Sequence, residues 1–311
     1  MSTQPPATGR TIAVQAFNKA DSVIATLDSI AKCRGAQNYQ LVIMQDGCVD
    51  ANAGQAGQAM SARTPKPIQT WIASNRDRHV ETTRAIRDWI TSNRRHLAMI
   101  CFHVADQNRG TCRTTESIIN EALTKTFSVI FSEDDIIFEE DALEWFERAL
   151  QHPAFARPDV WAIAGESKYF DARSDTPSAE EIERARALAD REKLIDRFVY
   201  FGFVPSSCFA TTTPRWAEFG KTRGQPKGDR DVSLRCRDEG KKCIWPVVAR
   251  CRDIGMHHPS GYSVYFRGPH HSGAKNSYIL SGMFETGSGD LSELEEGKNW
   301  LFDEFTRSVD A

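Results

Sequence analysis

The apolar run Phe127-Ser128-Val129-Ile130-Phe131-Ser132 opens directly onto Glu133-Asp134-Asp135. A run so nearly continuous in apolar residues reads as a strand covered on both faces, the usual state of strands in parallel α/β sheets. In such sheets ligands sit at the carboxyl ends of the strands. Three carboxylates therefore stand where a strand meets open solvent, with Ile136-Ile137-Phe138 and a helix from Glu139 after them. Adjacent acids repel one another, so a cation has to balance them. A hard divalent ion such as Mg²⁺ or Mn²⁺, which also grips phosphate, suits an all-oxygen ligand set. The competing reading is a solvated acidic turn in which Glu139, Glu140 and Asp141 serve the next helix N-terminus.

The rest of the chain alternates strand and helix patterns. Residues 11–16 read as a strand, and residues 21–32 as a helix with Val23, Ile24, Leu27 and Ile30 on one face. Residues 40–45 form a second strand ending in Asp46-Gly47-Cys48. Residues 50–63 are weakly helical at best, and residues 68–72 read as a short strand. A helix over 79–94 carries Val80, Ile86, Trp89 and Ile90, and a strand over 97–104 follows. Asp106-Gln107-Asn108-Arg109-Gly110 is a turn, and a helix over 114–123 leads into the Phe127 strand. Downstream come a helix (142–150), a strand (160–164), a charged segment (178–197) that reads as a solvated surface helix or else a mobile lid, strands at 198–203 and 207–212, a helix from Gly228 to Gly240, and a strand at 243–248. This order implies a parallel sheet of right-handed βαβ units. With 311 residues, 40% of them hydrophobic, the chain can bury one large α/β domain or two closely joined lobes.

Composition narrows the function classes. A net charge of −3, with Lys and Arg scattered, supplies no field for nucleic acid. The first ten residues are polar and read as a flexible N-terminus without the apolar core of a signal peptide, and no window approaches a membrane span. The expectation is a cytoplasmic protein, with peripheral association at the inner face of a membrane and homo-oligomerisation left open. Eight cysteines show no CxxC pair or zinc-like spacing, which favours reduced thiols.

Taken in order, Asp46-Gly47, Asn108-Arg109-Gly110, Glu133-Asp134-Asp135, Asp229-x-Asp231-x-x-x-Arg235 and the late loop Gly255-Met256-His257-His258-Pro259-Ser260-Gly261 resemble the GT-A fold of nucleotide-sugar-dependent glycosyltransferases. The set is closest to the large inverting family 2 type. The acidic triplet and Cys243-Ile244-Trp245-Pro246 are also similar to the N-acetylglucosaminyltransferase I type. The resemblance covers roughly residues 10–266. It implies a Rossmann-like, mixed and mainly parallel sheet flanked by helices over 11–266, with a nucleotide half at about 11–138, an acceptor half at about 139–266, and a C-terminal extension at 267–311. Two positions depart from the pattern: Gly228 where family 2 usually has an acid, and Gln45-Asp46-Gly47-Cys48 where it has Asp-Asp-Gly-Ser.

The resemblance implies an inverting, metal-dependent glycosyltransferase that moves an N-acetylhexosamine or hexose from a UDP-sugar to a hydroxyl of a glycan or glycolipid. Asp135 is then the metal ligand, and Asp134 and Glu133 reach ribose and sugar hydroxyls. Asp46, at the end of its strand, is placed to accept a hydrogen bond from uracil or ribose; the alternative is a turn residue. Asn108 lies in the nucleotide-binding set, and Arg113 could hold the diphosphate or base. Asp229 and Asp231 are candidates for the general base, Asp229 by comparison with family 2 and Asp231 by comparison with the other type. His257 and His258 could complete the metal or donate to phosphate. A sugar-phosphate nucleotidyltransferase would want a Gly-rich loop where Phe17-Asn18-Lys19-Ala20-Asp21 stands. A catalytically inactive glycan-binding domain is the rival from another class.

Overall fold

The structure is a computed structural model and describes residues 9–48, 75–166, 197–202, 204–205, 207–219, 236, 238–255 and 288–290. Its first half runs β1 (Arg10–Ala16), α1 (Ala20–Lys32), a 3₁₀ turn (Ala36–Asn38), β2 (Tyr39–Gln45), α2 (Asn75–Asn93), β3 (Met99–Val104), α3 (Thr111–Lys125), β4 (Ser128–Ser132) and β5 (Ile136–Phe138). Then follow α4 (Ala142–Gln151), α5 (Pro153–Ala156), β6 (Val160–Ala164), β7 (Arg197–Phe201), β8 (Cys208–Thr212), α6 (Thr213–Phe219), β9 (Lys242–Pro246), β10 (Cys251–Asp253) and β11 (Ser288–Asp290).

The main sheet has the order β11-β7-β9-β6-β8-β4-β1-β2-β3, and β5 pairs separately with β10. β1 joins β2 and β4 in parallel, β2 joins β3 in parallel, and β6 joins β9 in parallel. β8 runs antiparallel to both β4 and β6, and β7 antiparallel to β9 and β11. The α/β architecture is thus a mixed, mainly parallel sheet flanked by helices. β7 and β8 are the reversed strands of the mixed, mainly parallel sheet that the resemblance implied, and the parallel βαβ reading of the element order holds for β1 to β4. β11 lies beyond residue 266 yet still joins the sheet.

Why the central strands are apolar at nearly every position follows from the pleat. Successive side chains point to opposite faces. Ile12, Val14, Leu41, Ile43 and Ile130 pack in one core with Val23, Leu27 and Ile30 of α1 and Ile86 and Trp89 of α2. Ala13, Val42, Val129 and Phe131 pack in the other with Ile118, Ile119 and Ala122 of α3. The buried polar residues of these strands, Thr11, Gln15, Gln45 and Ser132, sit at or next to strand ends, and the middle positions are apolar.

Three local expectations change. Val80 is 51% exposed, because α2 starts at Asn75 and turns the apolar stripe onto Ile86 and Trp89. Phe127 is 60% exposed and precedes the strand. The helix after β5 begins at Ala142, not Glu139, and Asp141 pairs with the buried Arg250 (Oδ2 to Nε, 3.0 Å) instead of capping it. All eight cysteines are free, as expected. Trp245 is core, packed edge-on against Phe201.

Candidate active site

β1, β2 and β4 are parallel neighbours, so their carboxyl ends open on one rim. At the end of β4 the backbone is held tightly. Glu133 N–H donates to the Ser207 carbonyl (2.8 Å), Ile136 N–H to Thr26 Oγ1 (3.1 Å) and Phe138 N–H to Ser29 Oγ (3.0 Å). Thr26 and Ser29 lie on the buried face of α1. Their hydroxyls satisfy strand donors that have no sheet partner on that side, which fixes the acidic turn against the helix.

The acids do not stand in open solvent. Asp134 and Asp135 are 5% and 7% exposed, a correction to the solvated end expected from sequence; Glu133 is half-buried. Their cationic partner is Lys19, which follows β1. Its Nζ lies 2.9 Å from Asp134 Oδ1 and also bonds Asp135 Oδ2. Phe17 N–H donates to Asp134 Oδ2 (3.0 Å). Asp135 Oδ1 is buried and, among the described residues, has no hydrogen-bond partner.

One lysine serves two acids, and the electrostatics follow. Burial pushes the Asp134 carboxyl up, Lys19 pulls it down and Asp135 pushes it up again; the net is a rise above the ordinary range. Burial alone would lower the Lys19 ammonium, but Asp134 and Asp135 outweigh it and hold it above its usual value. A third acid adds to the field. Asp253, at the end of β10, keeps an exposed surface, yet the protein crowded around its carboxyl first, and then the charges of Asp135 and Glu166, push it up to about 7. Ile254 N–H donates to the Asp135 carbonyl (2.8 Å) and Gly255 N–H to Asp253 Oδ1 (2.6 Å). A Cβ at Gly255 would overlap the Asp135 carboxylate, so only glycine fits there.

Asp46, buried after β2, spends its carboxylate on its own chain. Oδ1 accepts from Gly47 N–H (2.8 Å) and Arg109 N–H (2.8 Å), and Oδ2 from Gly110 N–H (2.9 Å) and Asn108 Nδ2 (3.0 Å). Asn108 Nδ2 also donates to the Gly47 carbonyl (2.9 Å). A Cβ at Gly47 would overlap the Gln107 backbone, so the two turns touch directly. The loop pinned in this way leads into α3, whose N-terminus favours anions. Asp106, Gln107, Asn108, Arg109 and Arg113 line a cleft of about 210 Å³ there.

A divalent ion finds one suitable atom here. The orphaned Asp135 Oδ1 is an oxygen that a cation would satisfy, so the residues fit an ion at that point. Among the described residues no three His, Cys, Asp or Glu side chains come together as a metal-holding group. The structure thus gathers Asp46, Asn108 and Arg113 around one loop and Asp134 and Asp135 beside Glu133 in one turn. Asp229, Asp231, His257 and His258 lie outside the described residues.

Lys19, Asp253 and Glu166 were not in the set expected from sequence. For Lys19 a signal existed: a lone cation directly after a strand that neighbours the acidic one. Nothing in the spacing of Glu166 or Asp253 ties either to Asp135.

No family model matches the chain, and no curated protein does. Among solved structures it is similar to a mannosyltransferase from Pyrobaculum calidifontis in complex with GDP-Man and Mn²⁺, at 14% identity and a TM-score of 0.48, over 83% of this chain and 61% of that one. It is also similar to S. aureus TarS 1–349, at 11% identity and a TM-score of 0.44, over 80% of this chain and 61% of that one. For TarS 1–349 in complex with UDP-GlcNAc the values are 11%, 0.43, 78% and 58%. The chain spans about three fifths of the length of these structures.

Proposed function

We propose that this chain is a GT-A glycosyltransferase that transfers a sugar, an N-acetylhexosamine or hexose, from a UDP-sugar to a hydroxyl of a glycan or glycolipid with inversion. The observation that carries the reading is the buried, unpartnered Asp135 Oδ1 beside Asp134 and Lys19, on the strand rim where nucleotides bind in such sheets. A divalent ion, Mn²⁺ or Mg²⁺, held there supplies Lewis-acid stabilisation of the departing diphosphate.

The chain's own residues do the rest. Asp135 holds the cation, and Lys19 adds a second positive charge toward the phosphates. Asp134 is committed to Lys19 and Phe17 N–H, so it positions the lysine, and Glu133, half-buried beside it, reaches a ribose or sugar hydroxyl. Asp46 acts through the loop it pins, presenting Asn108 and Arg113 to the nucleotide. Asp229 takes the acceptor proton, with Asp231 as its rival, and His257 and His258 serve metal or phosphate. Among the described residues no helix is long and apolar enough to cross a membrane; we place the reaction in the cytoplasm, at or near the inner membrane face.

A thermal-shift screen of UDP- and GDP-sugars with and without Mn²⁺ tests the reading. A UDP-sugar should stabilise the protein most, and more with the ion; no shift with any nucleotide would overturn it. Donor hydrolysis in the presence of Mn²⁺ separates an enzyme from an inactive glycan-binding domain. Asp229→Asn should bind donor normally yet turn over about 10²–10⁴ times more slowly. That pattern in Asp231→Asn instead would exchange the two roles.

A further inference from the structure

We propose that Lys19 is a built-in competitor for the divalent cation, so that the ion binds tightly only together with the diphosphate that draws the ammonium away. This rests on the reading that Asp135 holds a metal beside a nucleotide diphosphate.

The geometry sets the two cations against each other. Lys19 Nζ bonds Asp135 Oδ2, while the oxygen left for an ion is Oδ1 of the same carboxylate. An ion at Oδ1 therefore meets an ammonium across a single carboxylate, in surroundings from which water is largely excluded. The carboxylate itself cannot swing away to relieve the repulsion. Ile254 N–H binds the Asp135 carbonyl, and the Gly255 backbone lies so close to Oδ2 that no Cβ fits between them. The lysine is the movable member. It precedes α1, keeps 14% of its side chain exposed, and reaches the acids on a flexible four-carbon stem. It also stands at the carboxyl end of β1, beside the helix N-terminus where a diphosphate would lie.

A diphosphate thus does two things at once: it brings oxygens to the ion and offers the ammonium another partner. Nucleotide and ion then bind as a pair, each strengthening the other by the same factor. The free protein, by contrast, keeps the ammonium on both acids and takes up little metal.

The test measures Mn²⁺ binding by the paramagnetic resonance of the free ion and UDP binding by calorimetry. It compares the full wild-type chain, Lys19→Met, and Lys19→Met with Asp134→Asn. The double variant matters twice. It leaves only one buried acid without a partner, which protects folding, and it keeps the local net charge of wild type, so a gain in metal affinity reports vacated space and not added charge. Both variants should bind Mn²⁺ alone about tenfold tighter and bind UDP in chelator about tenfold more weakly, opposite changes that general loosening would not produce. If the double variant binds Mn²⁺ no tighter, while wild type takes Mn²⁺ with UDP, the competition is wrong and the metal reading stands. If wild type binds UDP but never Mn²⁺, the metal reading falls and this inference with it.

Discussion

At the scale of single residues the site trades stability for charge. Asp134 and Asp135, both buried, share the single charge of Lys19, so the two acids repel each other in the folded state. Asp135→Asn keeps the shape and removes one acid. It should abolish most of the Mn²⁺-dependent part of UDP binding, seen by calorimetry, because the neutral amide offers the cation no charge and only one ligating oxygen. The same change relieves acid–acid repulsion, so the melting temperature should hold or rise. A fall of more than about 4 °C, roughly 1 kcal/mol or more for a domain of this size, would show that Asp135 is structurally required. Function and stability moving in opposite directions is the signature of a strained binding site.

At the scale of elements, the connection between β2 and α3 rests on Asp46. Three backbone N–H groups and one side-chain amide converge on its carboxylate. In Asp46→Asn an NH₂ would replace one oxygen and face donors. The loss should be on the order of 3 kcal/mol, since buried donors are left unmade and charge-assisted bonds disappear. Hydrogen exchange would check it: the amides of Arg109 and Gly110 should lose protection while the β1 and β4 amides keep theirs. Unchanged protection at Arg109 and Gly110 would free Asp46 for a direct contact with the nucleoside. Strands β4 and β6 were legible in the sequence because burial on both faces leaves apolar middles, with serines only at the two ends of β4. The Asp46 turn was legible as a turn and as a rim residue. Its partners were not, because bonds across more than sixty residues leave no periodic trace. Lys19 escaped for a related reason. The repulsion among the acids announced a missing cation, and a lysine far away in sequence meets that need as well as an ion does. The directions of β7 and β8 were equally silent, since side-chain alternation is the same for a strand run either way.

For the whole molecule, the shared rim brings the ends of six strands to one side. β1 to β4, β6 and β9 all point the same way, so their carboxyl ends open on one side even though reversed β8 separates the halves. That reversed strand also has a consequence for synthesis. Ser132 of β4 pairs with Cys208 and Ser128 with Thr212, so the strand that bears the acids gains its second neighbour only late in translation. Until then a growing chain carries Val129, Ile130 and Phe131 on an open edge, the kind of surface that recruits other strands. Ribosome-held chains ending before residue 208 should therefore be cut readily by protease near β4 and depend on holding chaperones, whereas chains that have released residue 212 should resist; early resistance would refute this. The strand that bears the acids is thus made early and flanked on both sides only after some eighty further residues, so the yield of folded protein in a cell depends on how quickly β8 arrives.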